Sequence, residues 1–163
     1  MVNKFAPFRP VSKCSTPHIA CESQLLETDV HLFDVRVYYE NTDHARVVNN
    51  GEYLRFLERA RTEYLRVCHI RHRELEAMGL YFAVYKLDIT YAAPAFIDDI
   101  LTICTKITHV TPARVLMHQL ILRDGQRICE ADVTVVTINQ GYKLVRLPGF
   151  LQEKLRPYVI AQR

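Results

Sequence analysis

The chain has 163 residues, of which 49% are hydrophobic and 24% charged, and 21 basic against 18 acidic side chains leave a formal charge of +3 at pH 7. That is one domain's worth of chain with enough apolar side chains for a core; bulk disorder is excluded, and apolar runs of only a few residues exclude a membrane-spanning helix. The mild positive balance suits an anionic small ligand and is too weak for a nucleic-acid partner.

Residues 1–30 read as an extension outside the core, because Pro7, Pro10 and Pro17 break any period and no acidic residue precedes Glu22. With Lys4, Arg9 and Lys13 but no apolar run, no secretory signal is expected, and an arm lying on the domain or on a partner subunit is. An α+β domain is expected over 31–147, followed by a helical tail over 148–163. Residues 34–39, DVRVYY, predict a strand, and Glu40-Asn41-Thr42-Asp43 a polar loop. The period then changes. Tyr53, Phe56, Leu57, Ala60, Tyr64 and Leu65 recur at helical spacing, predicting an amphipathic helix over 50–67 capped by Asn49 or Asn50. A shorter helix is predicted over 71–78, ending at Gly79.

Strands follow. Residues 81–91 set Leu87, Ile89 and Tyr91 against Lys86, Asp88 and Thr90, and 100–108 set Leu101, Ile103 and Ile107 against Thr102, Lys106 and Thr108. Residues 114–123 and 126–138 flank Asp124-Gly125, whose two positions favour a tight hairpin. Leu151, Leu155 and Tyr158 predict a short C-terminal helix. One long helix and about five antiparallel strands imply a sheet wrapped around a helix, with exposed edges that a second subunit would cover.

The five cysteines are an odd number with no zinc-ribbon spacing, so reduced cytoplasmic thiols are expected, with no disulfide framework and no metal. Five glycines provide no G-x-G-x-x-G and no P-loop, and G-x-S-x-G is absent. What remains is the junction YYENTDHARVVNN over 38–50, where Asp43 falls shortly before the N-terminus of the long helix. Free first-turn N–H groups carry partial positive charge, so a carbonyl held between them and Asp43 would be polarised on one side and attacked on the other. That is an acyl-transfer site, although Asn-Thr-Asp is also common turn chemistry.

The stretches VRVYYENTDHARVVNNGEYLRFLERARTEYLR, LDITYAAPAFIDDILTICTKIT and DGQRICEADVTVVTI resemble the hot-dog-fold acyl-CoA thioesterases. They are most similar to the tol-pal-associated, YbgC-type branch of the 4-hydroxybenzoyl-CoA thioesterase family, over roughly 33–147. The resemblance implies an antiparallel sheet around the long helix, a homodimer or homotetramer, and acyl-CoA sites at subunit interfaces with no cofactor beyond the substrate's own coenzyme A. It puts the catalytic carboxylate on Asp43, as nucleophile or general base, and the carbonyl-polarising N–H on Asn50. Tyr39, His44, Arg46, Val48 and Asn49 of the same junction are candidate substrate contacts.

Three positions depart from the family pattern: Asn41 replaces the loop's first acid, Arg46 a glycine, and Asn50 a histidine. Glu58, on the helix, is the rival carboxylate, with a surface ion pair as its plain alternative. Lys106, His109 and Arg114 are candidates for the coenzyme A phosphates. An acyl carrier protein substrate and a noncatalytic thioester binder are the alternatives. A hot-dog dehydratase is disfavoured because its histidine position is occupied by Val48.

Overall fold

The computed structural model describes residues 30–159, so all but the last residue of the expected N-terminal extension, including Cys14, His18 and Cys21, lies outside the described residues. Helix α1 (Asn50–Val67) has the bounds its periodicity predicts, and the six apolar residues of its stripe are all buried. Of the two candidate caps, Asn49 does the work: its Oδ1 accepts the Gly51 N–H at 2.8 Å. The expected strand over 34–39 instead begins and ends earlier, as β1 (His31–Arg36). Its tyrosine end is diverted because Tyr39–Asn41 close a 3-10 turn, with the Asn41 Oδ1 accepting the Tyr38 N–H at 2.8 Å.

After α1 come α2 (His72–Ala77), ended by Gly79 at φ +71°, and then β2 (Leu80–Tyr91) and β3 (Ile100–Val110). The chain continues through β4 (Val115–Arg123), β5 (Gln126–Asn139), β6 (Leu144–Val145) and α3 (Gly149–Leu155). Asp124 and Gly125 both take positive φ, 49° and 80°, as the tight turn between β4 and β5 requires. The sheet is antiparallel in the order β1-β3-β4-β5-β2, with the two-residue β6 also paired to β5. β6 lacks the length for a pattern of its own, and only pairing with Thr137 and Ile138 makes it a strand.

Strand alternation builds the core. Leu101, Ile103 and Ile107 of β3, Val115, Met117 and Ile121 of β4, and Ala131, Val133 and Val135 of β5 are buried with the apolar face of α1. Each such fully buried Leu, Ile, Val or Met side chain contributes about 1.5–3 kcal/mol. Leu151 and Leu155 of α3 join the same cluster. One polar row crosses it: the fully buried Gln119 donates to Leu57 O and Thr105 Oγ1, both at 3.0 Å, and accepts from Arg61 Nη1 at 2.8 Å. β2 stands at one end of the sheet order and bulges between Val84 and Lys86, which leaves Tyr85 69% exposed.

Candidate active site

The segment leading into α1 is a small hairpin. Thr42 bridges Val48, Asn49 N–H donates to Asn41 O at 3.0 Å, and Asp43 N–H donates to Val47 O at 3.0 Å. Its turn closes with Arg46 N–H donating to Asp43 O at 2.9 Å, while Asp43 Oδ1 accepts the Ala45 N–H at 2.8 Å. Arg46 sits at φ +62°, the left-handed corner of the turn. A glycine adopts that conformation freely, whereas a side chain there costs about 1–2 kcal/mol. That is a backbone reason for a glycine at this corner, and Arg46 carries the strain together with an exposed guanidinium.

Asp43 is half-buried, with one carboxylate oxygen engaged by its own turn. The helix start seven residues later is capped unevenly. Gly51 N–H is taken by the Asn49 side chain and Glu52 N–H by Asn49 O at 2.9 Å. The Asn50 N–H has no acceptor among the described residues. An open amide at the positive end of an eighteen-residue helix is the group that stabilises a developing oxyanion.

Three further contacts hold this junction. Asn41, 5% exposed, donates its Nδ2 hydrogen to Glu52 Oε2 at 2.8 Å, so the amide that replaces the family's acid binds the first turn of α1. From the sheet side, Tyr91 Oη reaches Asn50 O at 3.3 Å, and the buried Tyr53 Oη accepts the Ala95 N–H at 3.1 Å. Burial pushes the Tyr53 hydroxyl up, so it stays protonated at neutral pH.

The other sequence candidates scatter. Val48 is buried and lines the hairpin rather than open space, while Tyr39, 80% exposed, and His44 lie on the surface of the same loop. Glu58 is eight residues into α1, about 12 Å along the axis from Asn50, and is not brought to the junction within this chain. It edges a narrow cleft with about 70 Å³ of water-accessible space, walled by Leu65, Phe82, Met117 and Val135. Arg61 lines the same cleft and turns to Gln119 instead of closing an ion pair with Glu58. Lys106 lies on the outer face of β3 opposite His118, and His109 is exposed after a β3 bulge. Arg114 does line a shallow cleft, of about 500 Å³, together with Tyr85, Leu144 and Arg146. Arg146 and Tyr85 carry no sequence signal: they meet Arg114 only because β6 folds back on β5 and β2 bulges. Burial pushes all three described thiols up, Cys68 to about 12, Cys129 to about 11 and Cys104 in the same direction, which disfavours a thiolate at neutral pH.

A family model described as the thioesterase-like superfamily matches residues 37–155, which spans β2 to β6, all three helices and the hairpin carrying Asp43. This chain belongs to the thioesterase-like superfamily. Within it, the acyl-CoA thioesterase YbgC of Haemophilus influenzae is 41% identical over 110 residues, 67% of this chain and 81% of that protein. The acyl-CoA thioester hydrolase YbgC of Escherichia coli O6:H1 is 39% identical over 115 residues, 70% of this chain and 86% of the relative. A solved probable thioesterase from Bartonella henselae matches at TM-score 0.70 and 39% identity, over 73% of this chain and 99% of that one. The α+β hot-dog fold and the thioester-hydrolase class expected from the sequence both stand. Among the described residues no helix is long and apolar enough to cross a membrane, and no group of His, Cys, Asp and Glu is arranged to hold a metal ion.

Proposed function

We propose that this superfamily member hydrolyses acyl-CoA to a free carboxylic acid and coenzyme A, with Asp43 and the Asn50 N–H as its chemical centre. One observation carries the reading: the uncapped Asn50 N–H opens α1 a few residues after a carboxylate whose backbone is fixed by the hairpin. The thioester carbonyl oxygen takes the place of a missing acceptor at Asn50. Asp43, through its second carboxylate oxygen, either attacks the carbonyl carbon to give a mixed anhydride, which water then cleaves to free acid and regenerated Asp43, or takes a proton from the attacking water. Negative charge gathers on the oxygen beside the amide, and collapse expels the thiolate of coenzyme A. No metal or redox cofactor enters these steps. The described cysteines are free, which supports a reducing, cytoplasmic setting.

Arg114 and Arg146 are suited to the substrate's phosphates, and the exposed Tyr85 ring offers a flat surface for its base. In one chain that cleft is near the middle of β2, at Tyr85, whereas the Asn50 junction is at its Tyr91 end, about 20 Å along the strand. Antiparallel pairing of the open β2 edge with a second copy brings one chain's cleft toward the other's Asp43. We therefore take the working unit to be at least a homodimer.

The test is thiol release from a panel of acyl-CoA thioesters, read alongside binding of the same compounds. Turnover of at least one of them supports the proposal. Binding throughout with no thiol release would make the protein a thioester binder instead.

A further inference from the structure

We propose that Arg123, at the end of β4, is a positioning residue for thioester hydrolysis: it splints the loop over 94–99 against the segment that aims Asp43 and the Asn50 amide. The inference rests on the reading of that site given above.

Arg123 reaches the loop through several groups at once. Its Nη1 donates to Asp99 Oδ2 at 2.7 Å and to Pro94 O at 3.3 Å, its Nη2 donates to Gln126 Oε1 at 3.2 Å, and its guanidinium lies over the Phe96 ring at 5.6 Å. The Arg123 and Asp99 side chains are only 21% and 22% exposed, so the pair is shielded from much of the screening that weakens surface ion pairs. The same Asp99 oxygen accepts the Phe96 N–H at 2.8 Å, which closes the loop on itself.

The far side of this loop is the site. Phe96 bridges Val47, and Val48 N–H donates to Ala95 O at 2.9 Å. Ala95 N–H in turn donates to Tyr53 Oη, in the first turn of α1. Val47 O receives the Asp43 N–H, and Val48 lies two residues before Asn50. A shift of the loop therefore moves the carboxylate and the amide relative to one another. The loop's other anchors to its surroundings are on the β1 side: Asp98 N–H donates to Val37 O at 3.0 Å, Val37 N–H to Asp99 O at 2.9 Å, and Arg36 Nη1 to Asp98 O at 3.3 Å. Asp98 itself takes φ +68°, a conformation that needs surrounding contacts to persist. The guanidinium holds the loop through Nη1 and the start of β5 through Nη2 at the same time; a lysine ammonium is a single nitrogen and keeps only one of these two attachments.

The experiment is a kinetic double-mutant cycle between Arg123→Met and Asp43→Asn, with thiol release as the readout. In the wild-type background Arg123→Met lowers kcat by about tenfold to a hundredfold and leaves KM within about threefold, because misplacement of reacting groups falls on the chemical step. Arg123→Lys recovers part of the loss. In the Asp43→Asn background the same Arg123→Met change costs little more, since the group it positions is already absent. Equal losses in both backgrounds, or an unchanged kcat, overturn the proposal. So does an equal loss of kcat in Val133→Ala, a core change that lowers the melting temperature without touching the loop. If Asp43→Asn alone keeps the full rate, the reading of the site fails instead, whatever Arg123 does. Should Arg123→Met not fold, the isosteric Asp99→Asn takes its place in the cycle. Amide exchange at Val48 offers a readout free of catalysis: it quickens in the variant if the splint holds this segment, and stays unchanged if it does not.

Discussion

The Asn41 amide and the Glu52 carboxylate meet at 2.8 Å, tying the hairpin that carries Asp43 to the first turn of α1. The contact is well shielded, with Asn41 5% and the Glu52 side chain 16% exposed. Asn41→Asp sets two carboxylates against each other where a donor met an acceptor. The expected cost is about 2 kcal/mol of stability at neutral pH, with loss of thiol release, both partly restored at acid pH where one carboxyl is protonated. Urea unfolding at two pH values checks it.

Arg46→Gly tests the strained corner. At φ +62° glycine relieves the side-chain clash, although its looser unfolded chain offsets part of the gain, so a net stabilisation of up to about 1 kcal/mol is expected in urea unfolding. A loss of stability would show that the Arg46 side chain has contacts worth more than its strain.

His31 makes the fold sensitive to acid. It is 1% exposed, stacks on Tyr64 with ring centroids 5.2 Å apart, and its Nδ1 has no hydrogen-bond partner among the described residues. Burial holds its pKa below the ordinary 6.5, opposed by the charge of Glu63. Below pH 6.5 the unfolded chain therefore takes up a proton that the folded chain resists. This contribution to stability is complete above pH 6.5 and is lost as pH falls toward the folded value, with a slope of at most about 1.4 kcal/mol per pH unit. His31→Phe keeps a ring on Tyr64 and should flatten the decline between about pH 7 and pH 5 in denaturant midpoints.

Removing the cations of the Tyr85 cleft should act on binding alone. Arg114→Ala with Arg146→Ala is expected to raise KM for acyl-CoA by about tenfold or more, leave kcat nearly unchanged, and weaken the salt dependence of KM. The same acyl group on a truncated thiol without phosphates should show no change. Equal effects on both substrates would exclude a phosphate site there.

Much of this molecule is legible locally. The α1 stripe from Tyr53 to Leu65 needs only a period of 3.6, the strands need only alternation, and Asp124-Gly125 needs only two positive φ angles, so these elements fall where the residues point. The placement of Asp43 seven residues before the first residue of α1 is legible for a related reason, since a short loop leads straight into the helical period. Departures begin where long-range contact decides. Tyr38 and Tyr39 have strand-like side chains, but Asn41 captures the backbone into a turn. Arg146 reaches Arg114 through the fold-back of β6, and Arg123 reaches the site through a loop nearly thirty residues earlier, neither of which has a local pattern. Glu58, one helix face away by sequence, is placed two turns down the axis from the junction.

The central claim is that Asp43, with the open Asn50 amide polarising the carbonyl, carries out the hydrolysis. Its most direct measurement is the rate of thiol release by wild type and Asp43→Asn on the acyl-CoA that wild type turns over best. Loss of a nucleophile or general base predicts a fall of at least about a hundredfold, with melting temperature nearly unchanged. Equal rates for the two proteins would remove Asp43 from the mechanism.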